Sequence, residues 1–303
     1  MITVHEVSKR FGSVLALDRV SLRIAPGERV AIVGTNGSGK TTLLRAMIGL
    51  LGVEGRVEID GVDVAREPDR ALASVAYAPQ IAPPLDAAVD ELVRLQGELR
   101  GVSRAAVVVR AARLGLDLDA VGKKRFRDLS GGMKQKVLAA LALATDAPVL
   151  VCDEPTANLD AHARAAFFAQ VEERGRGAIV VLCSHRVDEV RHLVDRVVEL
   201  REGKLVRDAS IAELLGELRS TRIEIKAPHP EAEGGAPLAA WLHDRGFVCI
   251  TPGRWSGTFR QDEKLELVSD LMRRFEPQVA DLSIFDDGEV TGFGADERRR
   301  VVS

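Results

Sequence analysis

The run Gly34-Thr35-Asn36-Gly37-Ser38-Gly39-Lys40-Thr41 has the residue types of a loop that cradles phosphates. It follows the apolar stretch Val30–Val33, and its glycines let backbone N–H groups curl around a β-phosphate without Cβ clashes. A helix opening at Lys40 adds the positive end of its dipole. The Lys40 ammonium is a point charge for the β- and γ-phosphates, and the Thr41 hydroxyl is placed to bind Mg²⁺. Further along, Val149-Leu150-Val151-Cys152 ends in Asp153 and Glu154. Asp153 suits the outer sphere of Mg²⁺, and Glu154 would orient or deprotonate an attacking water. An acidic pair after a strand can equally be a plain helix cap, and only its company with the phosphate loop lends it chemistry. His185 follows another apolar run, Ala178–Cys183, where an imidazole can reach a γ-phosphate. A third constellation, Leu129-Ser130-Gly131-Gly132-Met133-Lys134-Gln135, places Ser-Gly-Gly at a helix start and so makes a second anion site. Two phosphate sites with one nucleotide pocket suggest that the second serves a neighbour's nucleotide.

Positioning these groups requires a parallel sheet. Short continuous apolar runs at 30–33, 149–152 and 178–183 read as strands buried on both faces, with a crossover helix over 161–174. Alternation predicts strands at 2–4 and 21–24, a helix over 40–51, and strands at 57–61 and 75–77. From about 82 to 125 the pattern turns helical, with Leu92, Leu95 and Leu99 on one face and Val107 to Leu114 on another. Near Glu217 the composition shifts, and 227–237 is rich in breakers. Strands at 222–226, 247–251, 255–260 and 279–285 and helices at 238–245 and 263–275 give the order β-α-β-β-α-β, the ferredoxin-like arrangement. We therefore expect an α/β phosphate-loop NTPase core over 1–216, with a helical subdomain at about 82–125. A small α+β ferredoxin-like accessory domain is expected over 217–303.

Composition narrows the partners. The formal charge of −3 lies in the tail beyond 217, so neither part carries a positive field for nucleic acid. Cys152, Cys183 and Cys249 are far apart, without metal-like spacing, and read as buried thiols in a reducing compartment. The apolar stretch 137–151 is interrupted by Asp146 and Pro148 and is too short to span a bilayer. The N-terminus has no basic-then-apolar pattern, so the expectation is a cytoplasmic protein. Trp241 and Trp255 are candidate interface anchors, although two tryptophans in a small domain are usually core.

In these motifs and their order the chain, from 1 to about 215, resembles the ATP-binding-cassette (ABC) ATPases. The resemblance implies that two cassettes pair head to tail, each Ser130-Gly131-Gly132 closing over the γ-phosphate held by the other's phosphate loop, Gly34 to Thr42. It assigns Phe11 to stacking on adenine, and Gln80, in Ala78-Pro79-Gln80, to touching Mg²⁺ and water. Glu154 becomes the catalytic glutamate, His185 the switch histidine, and Asp160 the aspartate whose loop crosses the dimer interface. Thr41, Gln80 and Asp153 would hold Mg²⁺, with Thr35, Asn36, Gly37, Ser38, Gly39, Lys40 and Thr42 around ATP. Lys136 stands where the family often has arginine. The implied activity is ATP hydrolysis by a homodimer, or by a pairing with a second cassette. The resemblance also implies a separate membrane permease seated on the helical subdomain, at the inner face of the cell membrane. The tail looks most like exporter-type ATPases, although some methionine-importer ATPases share it. The alternative is an ABC ATPase acting on ribosomes or DNA.

Overall fold

A computed structural model describes residues 1–286 except 176, 185–186, 219, 228–234 and 261–262. Contacts divide the chain into two compact units between Ile211 and Ala212, a few residues ahead of the composition shift at Glu217.

The first unit opens with a hairpin, β1 (Ile2–Phe11) and β2 (Val14–Ile24), followed by β3 (Arg29–Val33) and α1 (Lys40–Met47). Both hairpin strands are longer than alternation suggests. Glu6 and Arg19 have φ of 46° and 48°, and the register of β1 shifts beside them. Each irregularity breaks the two-residue period, so the sequence shows only the part of the strand on one side of it. α1 is shorter than expected because Gly49, at φ 67°, turns the chain where a Cβ would meet a Val64 methyl at 2.7 Å. Then come β4 (Glu54–Ile59), β5 (Val62–Asp63), α2 (Pro68–Leu72) and β6 (Val75–Ala78).

The insertion contains α3 (Val89–Arg100), α4 (Arg104–Arg113) and α5 (Leu118–Val121). α4 buries Val107 and Ala111, but on α3 the buried residues are Val89 and Val93. Of the leucines that the period places on one face of α3, Leu92 is half-buried, while Leu95 is 49% and Leu99 70% exposed. Helical period identifies an apolar stripe without saying what covers it. α6 (Gly131–Ala144), β7 (Val149–Asp153), α7 (Ala161–Glu172), β8 (Ile179–Cys183) and α8 (Val187–Val190) lead to β9 (Arg196–Arg201) and β10 (Lys204–Ser210). These last two strands are not apparent from the sequence pattern. They form an antiparallel pair clamped by Arg196, which bonds Asp208 across the ladder and Glu28 at 2.9 Å.

A six-stranded sheet has the order β10-β9-β3-β8-β7-β6, parallel except for β10, and a four-stranded antiparallel sheet has the order β2-β1-β4-β5. Every residue of β7 and β8 is buried, as covering both faces requires. Leu43, Leu44 and Met47 of α1 share one core cluster with residues of both sheets, which fixes the helix that begins in the phosphate loop.

The second unit starts at Ala212, within α9 (Ile211–Leu218), and continues with β11 (Ser220–Lys226), α10 (Gly235–Asp244), β12 (Val248–Thr251), β13 (Arg254–Arg260), α11 (Lys264–Phe275) and β14 (Asp281–Asp286). All strand pairs are antiparallel, in the order β12-β13-β11-β14. Ile223, Ile225, Leu242 and Leu271 form its core with Trp255, 6% exposed. Trp241 packs partly buried against Phe275 at 5.8 Å, so both tryptophans belong to this core. Cys152 and Cys183 are buried, but Cys249 is exposed, because β12 is an edge strand that the helices do not cover. Among the described residues no helix is long and apolar enough to cross a membrane.

Candidate nucleotide site

β3 delivers the chain to Gly34, whose φ is 148°; a Cβ there would lie 2.3 Å from the Leu200 carbonyl. Gly39, at φ 104°, sits as close to the Ala16 carbonyl, where a Cβ would approach to 2.5 Å. Only glycine has both the backbone freedom and the missing atom, so the neighbouring strands dictate the loop's composition. Gly39 caps α1 without a side-chain bond, leaving the helix's first N–H groups for a ligand. Lys40 is 6% exposed, and its Nζ donates to the Gly34 and Thr35 carbonyls at 2.9 and 3.1 Å. The Ser38 hydroxyl is buried and finds no hydrogen-bond partner among the described residues.

The carboxyl ends of the parallel strands bring the remaining groups to this loop. The Thr41 hydroxyl donates to Asp153 Oδ1 at 3.0 Å, and the buried Asp153 Oδ2 has no described hydrogen-bond partner. Burial raises the Asp153 carboxyl above the usual range, against the pull of the Thr41 hydrogen bond and the Arg45 charge. Next in the chain, Glu154 has φ 43°, a left-handed conformation that costs a non-glycine residue roughly 1 kcal/mol. Its N–H donates to the Cys183 carbonyl at 3.1 Å, and its Oε2 accepts from Gln80 Nε2 at 2.9 Å. An open cleft of about 460 Å³ is lined by Asn36, Gly37, Gly39, Lys40, Thr41, Thr42, Gln80 and Glu154, with Val14–Ala16 and Glu202 as further walls. Phe11 is half exposed, with the Lys9 ammonium 5.5 Å from its ring centre, and it pairs with Val14 at the cleft wall. It is therefore not a core phenylalanine. His185 lies outside the described residues.

A polyphosphate with Mg²⁺ fits this donor set. The orphaned Ser38 hydroxyl, the open amides of α1 and the Lys40 ammonium are donors that suit an anion. The spare Asp153 oxygen beside Thr41 suits a hard cation. Ser130, Gly131, Gly132 and Asp160 do not line the cleft. They form a second group at the start of α6. Ser130 caps the helix by accepting from the Met133 N–H at 3.3 Å, while Ser130 and Gly131 are exposed. Asp160 caps α7 through the Ala163 N–H at 2.8 Å and bonds Lys136 Nζ at 2.8 Å. Gln135, present in the sequence motif but without a task there, is 1% exposed and donates to the Pro79 and Pro155 carbonyls. Its neighbours come from two distant segments, so no local pattern announces it.

Fold and cleft together define a phosphate-loop nucleotide-binding ATPase core. The ABC transporter family model matches residues 17–157. The chain is 35% identical to the daunorubicin resistance ATP-binding protein DrrA3 of Streptomyces coeruleorubidus, over 74% of this chain and 72% of that one. It is 34% identical to the Nod factor export ATP-binding protein I of Paraburkholderia xenovorans (76% and 78% covered). With the phosphonates import ATP-binding protein PhnC of Frankia casuarinae it shares 37% identity (69% and 89% covered). Among solved structures it is similar to the dimeric, post-hydrolysis ATP-binding cassette MJ0796 bound to ADP and phosphate. That match has a TM-score of 0.61 and 26% identity, and covers 70% of this chain and 99% of that one. This chain belongs to the ATP-binding subunits of ABC transporters, enzymes that bind Mg²⁺-ATP and couple its hydrolysis to transport.

Proposed function

We propose that two copies of this chain sandwich two Mg²⁺-ATP and drive a separate membrane permease, most naturally an exporter. In this reading Phe11 stacks on adenine, residues 34–42 hold the phosphates, and Thr41, Asp153 and Gln80 hold Mg²⁺. When bound, the ion would neutralise charge on the β- and γ-phosphates. Glu154, kept in place by the Gln80 amide, orients the water and takes its proton, with His185 assisting at the γ-phosphate. Ser130, Gly131 and Gly132 of one copy complete the site of the other, and Asp160 approaches across the interface. The observation that carries the reading is the separation within one chain: the cleft holds the hydrolytic groups, while a second helix N-terminus stands exposed outside its lining. The dimeric cassette MJ0796 supports pairing.

Mixing Lys40→Ala and Ser130→Ala subunits tests this. Each variant alone is expected to be nearly inactive, but a mixed dimer regains one intact composite site. Recovered ATPase activity supports completion in trans, and no recovery in verified heterodimers overturns it.

For the permease, a groove of about 280 Å³ lies between Leu50, Leu72, Tyr77, Gln96, Arg100 and Leu138. The exposed Leu95 and Leu99 share α3 with Gln96 and Arg100. An amphipathic helix of a membrane partner suits that surface, and attachment there would hold the chain at the inner face of the membrane. Export is favoured by the Nod factor export relative and by the β-α-β-β-α-β tail, which we read as a ferredoxin-like domain that stabilises the dimer. The phosphonate-import relative favours import as the second reading. Action on ribosomes or DNA finds no support among these relatives.

A further inference from the structure

The hydrolytic groups and the exposed start of α6 belong to different composite sites, yet one buried side chain connects them. Gln135 lies in the second turn of α6 and is 1% exposed. Its Nε2 donates to the Pro79 carbonyl at 3.0 Å and to the Pro155 carbonyl at 3.1 Å. Pro79 immediately precedes Gln80, and Pro155 immediately follows Glu154. Gln80 and Glu154 are themselves hydrogen-bonded at 2.9 Å, so the contacts close a ring from α6 through both strand ends and back. Neither proline has an N–H, so neither offers a backbone donor of its own to the ring. The start of α6 is also clipped to the Asp160 loop, by Lys136–Asp160 at 2.8 Å and by Gly132, where a Cβ would lie 3.1 Å from the Asn158 carbonyl. A shift of α6 thus reaches the Gln80–Glu154 pair through the Gln135 amide.

We propose that Gln135 is a positioning residue that ties the engagement of Ser130-Gly131-Gly132 with a partner's nucleotide to the alignment of Gln80 and Glu154 in its own cleft. The proposal rests on the assignment of Glu154 and Gln80 given above. When α6 docks on the neighbouring nucleotide, the two proline carbonyls follow the Gln135 amide and set the carboxylate that serves the water. Hydrolysis in one cleft then depends on occupancy of the other, and the Gln135 amide is the link.

The test compares wild type with Gln135→Met, which keeps the volume and removes both donors, and with Gln135→Asn, which leaves the amide a methylene short. ATPase rates are followed against ATP concentration, alongside fluorescent-nucleotide binding and thermal melting. The expected result is a kcat lower by about tenfold, a half-saturating ATP within about twofold of wild type, and a Hill coefficient that falls from above 1 to near 1. A merely structural role would lower the melting temperature and the folded fraction without changing the Hill coefficient of the folded protein. Should Gln135→Met fail to fold, Gln135→Asn carries the comparison. Wild-type kcat and cooperativity in a folded variant overturn the proposal, as does a loss confined to nucleotide affinity. Glu154→Gln serves as the reference: if it keeps turnover, the assignment of Glu154 has failed. If it abolishes turnover while the folded Gln135 variants match wild type, only the coupling has failed.

Discussion

Glu154 shows how much a single position is asked to do. Its backbone adopts φ 43°, its N–H is held by the Cys183 carbonyl, and its carboxylate accepts from Gln80. Together these hold the carboxylate at the wall of the cleft that Glu154 helps to line. Glu154→Gln keeps the shape and can still accept from Gln80, but it removes the charge that draws the proton from water. Turnover should fall by about 10² to 10⁴-fold, the range of general-base contributions. The phosphate cradle is untouched, so ATP should stay bound and hold a dimer together. Size-exclusion chromatography of this variant with ATP should show that dimer, and a monomer would contradict the proposed sandwich. Position 152 asks for less. Burial lifts the Cys152 thiol to about 12, so it is an inert packing group beside the chemistry.

At the scale of elements, the clip between α6 and α7 is a joint open to titration. The Lys136 ammonium, and after it the Ala163 N–H, hold the Asp160 carboxyl down at about 2, against an ordinary value of about 3.9. A carboxyl whose folded value is depressed contributes stability that is present above its unfolded value and lost as pH falls through its folded one. The joint should therefore be intact above about pH 4 and loosen towards about pH 2. Asp160 is exposed, so the effect is screened by solvent. Carboxyl NMR of the nucleotide-free protein should show Asp160 titrating at about 2, and Lys136→Ala should move that midpoint upward. An unmoved midpoint would mean that Lys136 does not hold the carboxylate. Sequence pattern pointed to a helix from Ala161, but neither the Asp160 cap nor its pairing with Lys136, which spans two elements, was read from it.

For the whole molecule, the question is what the outward leucines are for. Leu95 and Leu99 are 49% and 70% exposed on a helix that buries Val89 and Val93 instead. Surface substitutions away from special contacts change stability by only about 0.5 kcal/mol. Leu95→Ser with Leu99→Ser should therefore leave the melting curve nearly unchanged while reducing the amount of chain that co-purifies with a multi-helix membrane protein from solubilised membranes. Undiminished co-purification would move the permease contact elsewhere on the molecule.

The sequence by itself carried the runs that could bind phosphate and act on it. The phosphate loop, the Asp153-Glu154 pair and Ser130-Gly131-Gly132 are contiguous runs whose local geometry follows from glycine freedom, helix starts and strand ends. Six elements of the second unit were legible for the same reason, since each carries its own apolar period within a few residues. Only the tertiary structure decided which side chains meet, because that depends on contacts between distant segments. It set Gln80 against Glu154, gave Gln135 its two proline carbonyls, left Leu95 and Leu99 of α3 exposed and brought β9 and β10 into the sheet. Hydrophobic period states that a face is apolar, and hydrogen-bonding capacity states that a group needs a partner. Which face and which partner are settled by packing, and packing is a property of the folded chain.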